Sequence, residues 1–306
     1  MGKSRLLVVH YSSPSGQLSD VIRNFSAPLA ESGDIELHEV VLRPRRPYPF
    51  PWPILRFFDT FPETIYLDPP EMEPLGLPAG RFDLVILAYQ VWFLSPSGPT
   101  AAFLKDAAAQ ALLKDTPVVT LIACRDMWLM AQERVKELLA GARLVGNVVL
   151  IDEGGSVGSL LATPVWMMTG SRGPHLGGLI PRAGVRPDQI KASRRFGERI
   201  LAVLKQGGPL DATLLQGLGA VKVNTRLIAT EKAARRSFLA WGALLRKLGP
   251  QGAWQRKPVV LFYIVFLVTL LVVVLPLSML LKTLAAPLLR GRIAAQQAYF
   301  SQPSGE

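Results

Sequence analysis

The chain has 306 residues, 49% of them hydrophobic, with a net charge of +11 and a single cysteine, Cys124. That composition excludes general disorder, a disulfide within the chain and a zinc site built on thiolates, and the lone thiol suits a reducing compartment. The length fits one domain with additions, or two small ones.

The opening MGKSRLLVVHY passes straight into a strand pattern, and its apolar run is too short for a secretory signal. Residues 5–11 predict a buried parallel strand. A polar turn follows at 12–19 (SSPSGQLS). Val21, Ile22, Phe25 and Leu29 then recur at helical spacing over 20–30. Further strands are predicted at 35–42, 82–89, 117–123 and 144–151, with helices at 99–113, 128–139 and 187–204. Five β-runs alternating with helices imply an α/β fold with a doubly wound, five-stranded parallel sheet, and right-handed crossovers place ligand loops at the carboxyl ends of its strands. Residues 1–206 are read as this domain.

Two segments interrupt the rhythm. Residues 43–78 are rich in Pro and carry Tyr48, Phe50, Trp52, Phe57, Phe58 and Phe61. They read as an ordered lid or apolar substrate wall, with a flap packed on the core and a membrane-touching loop as alternatives. Residues 152–186 form a Gly-rich insertion.

Residues 207–257 read as a basic juxtamembrane helical segment. Between Lys222 and Lys257 nine Lys or Arg face one acid, Glu231, a net of +8. A basic stretch before an apolar helix meets anionic lipid headgroups, and no nucleic-acid motif accompanies it. The part at 225–248 predicts one or two helices, lying on the membrane surface or packed on the α/β domain. Residues 258–281 are 24 residues without a charge, enough for a transmembrane helix. A buried core helix and a re-entrant helix bent at Pro276 are the alternatives. Residues 282–306 read as a short polar tail. Basic residues flank both ends, so the cofactor-type character of the large domain decides the expectation: a single pass of the inner (cytoplasmic) membrane, with the domain in the cytoplasm.

Chemistry concentrates in three loops. The loop after the first strand sets Ser12, Ser13, Ser15, Gly16 and Ser19 at a helix N-terminus. Free amides and the helix dipole there favour a phosphate, unless the loop is an ordinary capped connection. The loop has no Lys or Arg, and a GxxxxGK[ST] P-loop is absent. After the third strand, Gln90, Val91, Trp92, Phe93 and Leu94 offer a flat aromatic surface for a ring system, or core packing. After the fourth strand come Cys124, Arg125 and Asp126. Cys124 is a poor nucleophile candidate because no His follows nearby. Asp126, Asp152, Glu153 and His175 are weak candidate bases, each read first as a surface or cap residue. His10 and His38 lie in or beside strand runs. The three His show no metal-ligand spacing, so no metal is expected. No GxSxG elbow occurs.

With Ser13, Ser15 and Gly16 in place, the first loop resembles the flavodoxin phosphate loop Ser-x-[Ser/Thr]-Gly-x-Thr, except that Leu18 stands where Thr is expected and Ser19 follows. The stretch DLVILAYQVWFLSPSGPTAAFLKD (83–106) is similar to the corresponding stretch of flavodoxin-like quinone and FMN reductases. The resemblance covers about residues 4–151 and 187–206. It implies a flavodoxin-like sheet of order 2-1-3-4-5 and an FMN cofactor. Ser12, Ser13, Ser15, Gly16, Gln17, Leu18 and Ser19 would surround its phosphate. Gln90 to Leu94 and Cys124 to Asp126 would border its ring.

More narrowly, IDEGGSVGSLLATPVWMMTG (151–170) resembles the dialkylresorcinol-condensing enzymes. That likeness implies an aromatase acting beside a ketosynthase or carrier protein, oxidising a dialkyl-cyclohexanedione to a resorcinol. An apolar substrate of this kind would account for the aromatic loop and the membrane helix together. Two other functions stay open. One is an NAD(P)H-dependent quinone or FMN reductase. The other is a non-catalytic, flavin-free scaffold at the membrane, which Leu18 favours.

Overall fold

The computed structural model describes residues 2–12, 15–152, 157–274 and 290–305. Strands β1 (Ser4–His10), β2 (Ile35–Val41), β3 (Leu84–Trp92), β5 (Pro117–Cys124) and β6 (Arg143–Ile151) form a parallel sheet in the order β2-β1-β3-β5-β6. This is the flavodoxin-like order, with the switch point between β1 and β3. The sheet has six strands rather than five, because a two-residue β4 (Ser95–Pro96) folds back antiparallel on the end of β3.

Alternation along the strands feeds two cores. Leu6 and Val8 of β1 join Val21 and Phe25 of α1 (Gln17–Ala30) and Phe196 of a later helix on one face. Leu7 and Val9 join Phe103 and Leu104 of α4 (Gly98–Lys105) and Val135 of a later helix on the other.

Two helices expected to be continuous are broken in the structure. The stretch at 99–113 becomes α4 and α5 (Ala107–Leu113), because Asp106 turns extended and its carboxylate accepts from Ala109 N at 2.9 Å, capping α5. Helix α6 (Leu129–Leu138) follows β5, and α7 (Val157–Thr169) runs within the Gly-rich insertion. The stretch at 187–204 divides at buried Ser193 into α8 (Pro187–Ala192) and α9 (Arg194–Lys205).

The 43–78 insertion is ordered. Arg45 N donates to Glu71 O at 2.9 Å and Glu73 N to Arg43 O at 2.8 Å, closing its base. Within it run α2 (Ile54–Asp59) and α3 (Phe61–Ile65). The basic stretch forms one long helix, α10 (Ile228–Lys247), packed on α3 and α6. Gly242 permits that approach, since a Cβ there would meet Tyr66 Cε2 at 3.1 Å and Ile65 Cγ2 at 3.2 Å. Helix α11 (Lys257–Thr269) continues as a π turn, Leu270–Val274. The rest of the expected membrane segment, 275–281 with Pro276, lies outside the described residues. The stretch Trp254–Val273 is long and apolar enough to cross a membrane, with mean hydropathy 2.1. Only 17% of that stretch is buried, unlike a soluble core helix.

The sequence from 282 reads as a polar tail, but it contains α12 (Arg290–Ser301), which packs against the domain. Phe300 is 5% exposed in the second core, and Ser304 Oγ accepts from Asn147 N of β6 at 2.7 Å. Val149 N donates to Ala220 O at 2.9 Å, so two amides on the outer edge of β6 are satisfied.

Candidate functional site

The carboxyl ends of β1, β3 and β5 carry three adjacent loops. In the first, Gly16 adopts a left-handed conformation (φ 71°) and α1 begins at Gln17 with no side-chain cap. Asp20 N is the first amide to find an intrahelical carbonyl, that of Gly16 at 3.1 Å. The preceding amides of the first turn therefore point outward without an intrahelical partner. A Cβ on Gly16 would meet nothing within 4 Å, so its φ, not crowding, favours glycine. Ser12 and Ser19 bond to each other through their hydroxyls at 2.9 Å. Gln17 turns away and donates through Nε2 to Val185 O at 3.2 Å. Leu18 is 2% exposed in the first core, so the position where Thr would face a phosphate instead fills the domain. Ser13 lies outside the described residues.

The second loop is tied to the first: Gln90 Nε2 donates to Tyr11 O at 3.0 Å, and its Oε1 is buried with no hydrogen-bond partner among the described residues. Val91 and Trp92 belong to β3 rather than to the loop, because Trp92 pairs with Ser95 across a two-residue hairpin. The hairpin turn is Phe93 (φ 48°) and Leu94 (φ 60°). Two positive φ values are the signature of a type I′ turn, normally supplied by Asn and Gly. Here Phe93 reaches into the aromatic insertion, its ring 5.2 Å from that of Phe57 and 5.8 Å from Phe61.

The third loop repeats this strain, with Asp126 at φ 132° and Met127 at φ 53°. Non-glycine residues held in this region cost free energy and cluster at functional sites. Asp126 accepts from Met127 N through Oδ1 and from Asn224 Nδ2 through Oδ2, each at 2.9 Å. Burial pushes the Cys124 thiol well above its ordinary range, which disfavours the thiolate a nucleophile needs. Arg125 pairs with Asp152, which also accepts from Gly184 N at 2.6 Å. Asp152 is therefore committed to structure. Glu153 lies outside the described residues. His175 bonds to Ser171 O at 3.1 Å within the insertion, and no described hydrogen bond or ring contact links it to the three loops.

Aromatic side chains roof the second loop. Trp92 meets Tyr11 (6.0 Å between ring centres), Tyr48 (4.9 Å) and Trp52 (5.8 Å) edge-on. Burial raises both tyrosines, Tyr48 to about 12, so each stays a neutral donor. From Trp52 the rings continue through Phe57, Phe93 and Phe61 to Tyr263 of α11, which stacks on Phe61 at 4.4 Å. A groove of about 990 Å³ opens between α1 and β2, reaching Tyr11, Ser12, Ser19 and Tyr48 but not the loops after β3 and β5.

One carboxyl beside the site escaped the motif reading. Glu231 is fully buried, accepts from Met130 N at 2.7 Å, and is pushed up to about 8, chiefly by burial and then by the neighbouring charge of Asp126. Its signal in the sequence is that it is the lone acid between Lys222 and Lys257.

No family model and no curated protein matches the chain. Among solved structures it is similar to a flavoprotein in complex with FMN from Lactobacillus acidophilus NCFM, at 18% identity over 48% of this chain and 93% of that one, with a TM-score of 0.39. It is also similar to proteins assigned as flavoproteins from Bacteroides uniformis (12% identity, 50% and 93% coverage, TM-score 0.37) and Bacteroides eggerthii (16%, 48% and 89%, TM-score 0.37). The α/β fold rests on the strand order itself.

Proposed function

We propose that the chain is a membrane-associated, FMN-dependent oxidoreductase acting on an apolar, ring-forming substrate. The observation that carries this reading is the pairing of an uncapped, glycine-led helix N-terminus with two strained loops on the same sheet edge. The residues fit the cofactor. Gly16, the first amides of α1 and the hydroxyls of Ser12, Ser15 and Ser19 would hold a phosphate without a cationic side chain. Gln90, with its orphaned buried Oε1, would meet a polar edge of the ring, bordered by Val91 to Leu94 and by Cys124 to Asp126. When bound, FMN supplies a hydride acceptor. Of the described rim carboxylates, Asp152 is ion-paired and Asp126 is in no described ion pair, so Asp126 would take the proton that leaves with the hydride. Dehydrogenating a dialkyl-cyclohexanedione to a dialkylresorcinol needs this combination. The aromatic path from Trp92 to Tyr263 would carry such a substrate from the membrane, with the large domain on the cytoplasmic side.

Absorbance in the flavin bands of the purified protein, with FMN released on denaturation, is the test. A colourless protein that takes up no FMN would sink the reading. It would favour a flavin-free scaffold, which the burial of Leu18 supports. Bleaching of the bound flavin by a cyclohexanedione but not by NAD(P)H would separate the aromatase from a quinone or FMN reductase.

A further inference from the structure

We infer that α11 lies in one leaflet of the membrane instead of crossing it, so that both flanks of the apolar segment stay on the side of the α/β domain. The inference rests on the membrane half of the reading above and replaces a single pass by a monotopic arrangement.

A spanning helix would project from the domain, whereas α11 is held along its length. Its start is clamped by Arg256, fully buried, which pairs with Glu63 through Nη1 at 2.7 Å and lies 2.8 Å from Asp59. Val260 and Tyr263 pack inward on Phe58, Phe61, Ile65 and Leu245. At the far end the turn at Leu270–Val274 touches α7. The opposite stripe is apolar and uncovered: Leu261, Phe262, Val265, Val268, Val272 and Val273 are each 42–65% exposed. An uncovered apolar stripe on a helix whose other face is fixed to protein matches a helix lying in the plane of the interface. Exposed Trp254 and Lys257 at its start supply the aromatic and cationic anchors of a headgroup layer.

The tail gives the second, independent observation. The described chain resumes at Arg290, and α12 docks on the same domain: Phe300 enters the second core, Tyr299 Oη donates to Glu133 at 2.7 Å, and Ser304 is 1% exposed against β6. A chain that crosses the bilayer once leaves its tail on the far side. This tail is bound on the near side, so the two described flanks, Lys257 and Arg290, belong on one side of the bilayer.

The experiment uses the full chain in sealed membrane vesicles, with exposed positions Arg23→Cys on α1 and Gln302→Cys in the tail probed by a membrane-impermeant maleimide. The half-buried native Cys124, probed alone in the wild-type chain, sets the background. The arrangement predicts that both positions label to the same extent in intact vesicles of either orientation. A Gln302→Cys variant that labels only after detergent, while Arg23→Cys labels before it, would overturn the inference and leave membrane binding intact. In parallel, Leu261→Glu/Val265→Glu/Val268→Glu, checked for unchanged thermal unfolding, is expected to lose at least tenfold in co-sedimentation with anionic phosphatidylglycerol vesicles. Wild-type protein that ignores those vesicles would remove the membrane half of the proposed function as well, without touching the flavin half.

Discussion

The two faces of the sheet and the cluster beneath α11 are built from the same kinds of side chain, but they close differently. Along β1 every residue from Leu6 to Val9 is 2% exposed or less, because α-helices cover both faces of the sheet. Along α11, Val260 and Tyr263 are as buried, while Phe262 and Val265 on the opposite stripe are 64% and 65% exposed. A helix on a water-soluble domain carries polar residues on its outer face. The sheet thus uses its apolar residues up in folding, whereas α11 carries more than folding needs. The surplus is what a non-aqueous surface would cover.

The sharpest way to break this comparison is at the clamp. Arg256→Ala would strand Asp59 and Glu63 beside an apolar cluster, and removing one partner of a buried pair costs about 3–5 kcal/mol. Burial already raises the Asp59 carboxyl. We expect urea unfolding to show that loss and proteolysis to reach α11 first. A loss under about 1 kcal/mol, the scale of an exposed pair, would mean that the cluster is wet and not a second core.

Next in size is a pH effect where α10 joins the α/β domain. Glu231 has a folded value of about 8 against an ordinary 4.5. Between those values the native state holds a proton that the unfolded chain has released, so stability falls as pH rises from about 4.5 to 8 and levels off above. Glu231→Gln keeps an acceptor for Met130 N and removes the titration. We expect the variant to match wild type near pH 5 and to exceed it by a few kcal/mol at pH 9, on the order of the shift itself. Parallel stability curves at the two pH values would show that water reaches the carboxyl.

The strands were legible because five of them bury both faces and leave apolar runs; right-handed crossovers narrow their order without choosing it, and the order itself came from the flavodoxin resemblance. The breaks at Asp106 and Ser193 were not, because a single capping or turning residue inside an apolar pattern leaves the periodicity intact. At the site, Gly16 announced its loop by type. The strain at Phe93 and Leu94 was invisible because neither residue type favours positive φ; tertiary packing against Phe57 and Phe61 imposes it. Gln17 and Leu18 sit in the phosphate-loop pattern, but the turn of α1 aims them at Val185 and the core. The tail at 290–305 shows little amphipathic pattern, so its docking through Tyr299, Phe300 and Ser304 shows only in the structure.

The first loop provides a smaller test of glycine-led against strained geometry. At φ 71° a Cβ costs about 1–2 kcal/mol, while Asn tolerates the conformation. We expect Gly16→Ala to lower FMN retention and stability together, and Gly16→Asn to stay close to wild type in both. Equal loss in the two variants would point to contact at the Gly16 backbone rather than to its conformation.

The smallest effect concerns the tail. Asn147 N and Val149 N lie on the same outer edge of β6, but Ser304 Oγ covers the first and Ala220 O the second. Ser304→Ala removes one acceptor and leaves the other. A buried amide that loses its partner costs about 1–3 kcal/mol, part of which water recovers if the tail lifts. Amide exchange should therefore quicken at Asn147 and stay unchanged at Val149, with α12 fraying from Phe300 onward. Unchanged protection at Asn147 would mean that something other than the tail covers this edge, and that the chain's return to its own side of the membrane is not anchored at Ser304.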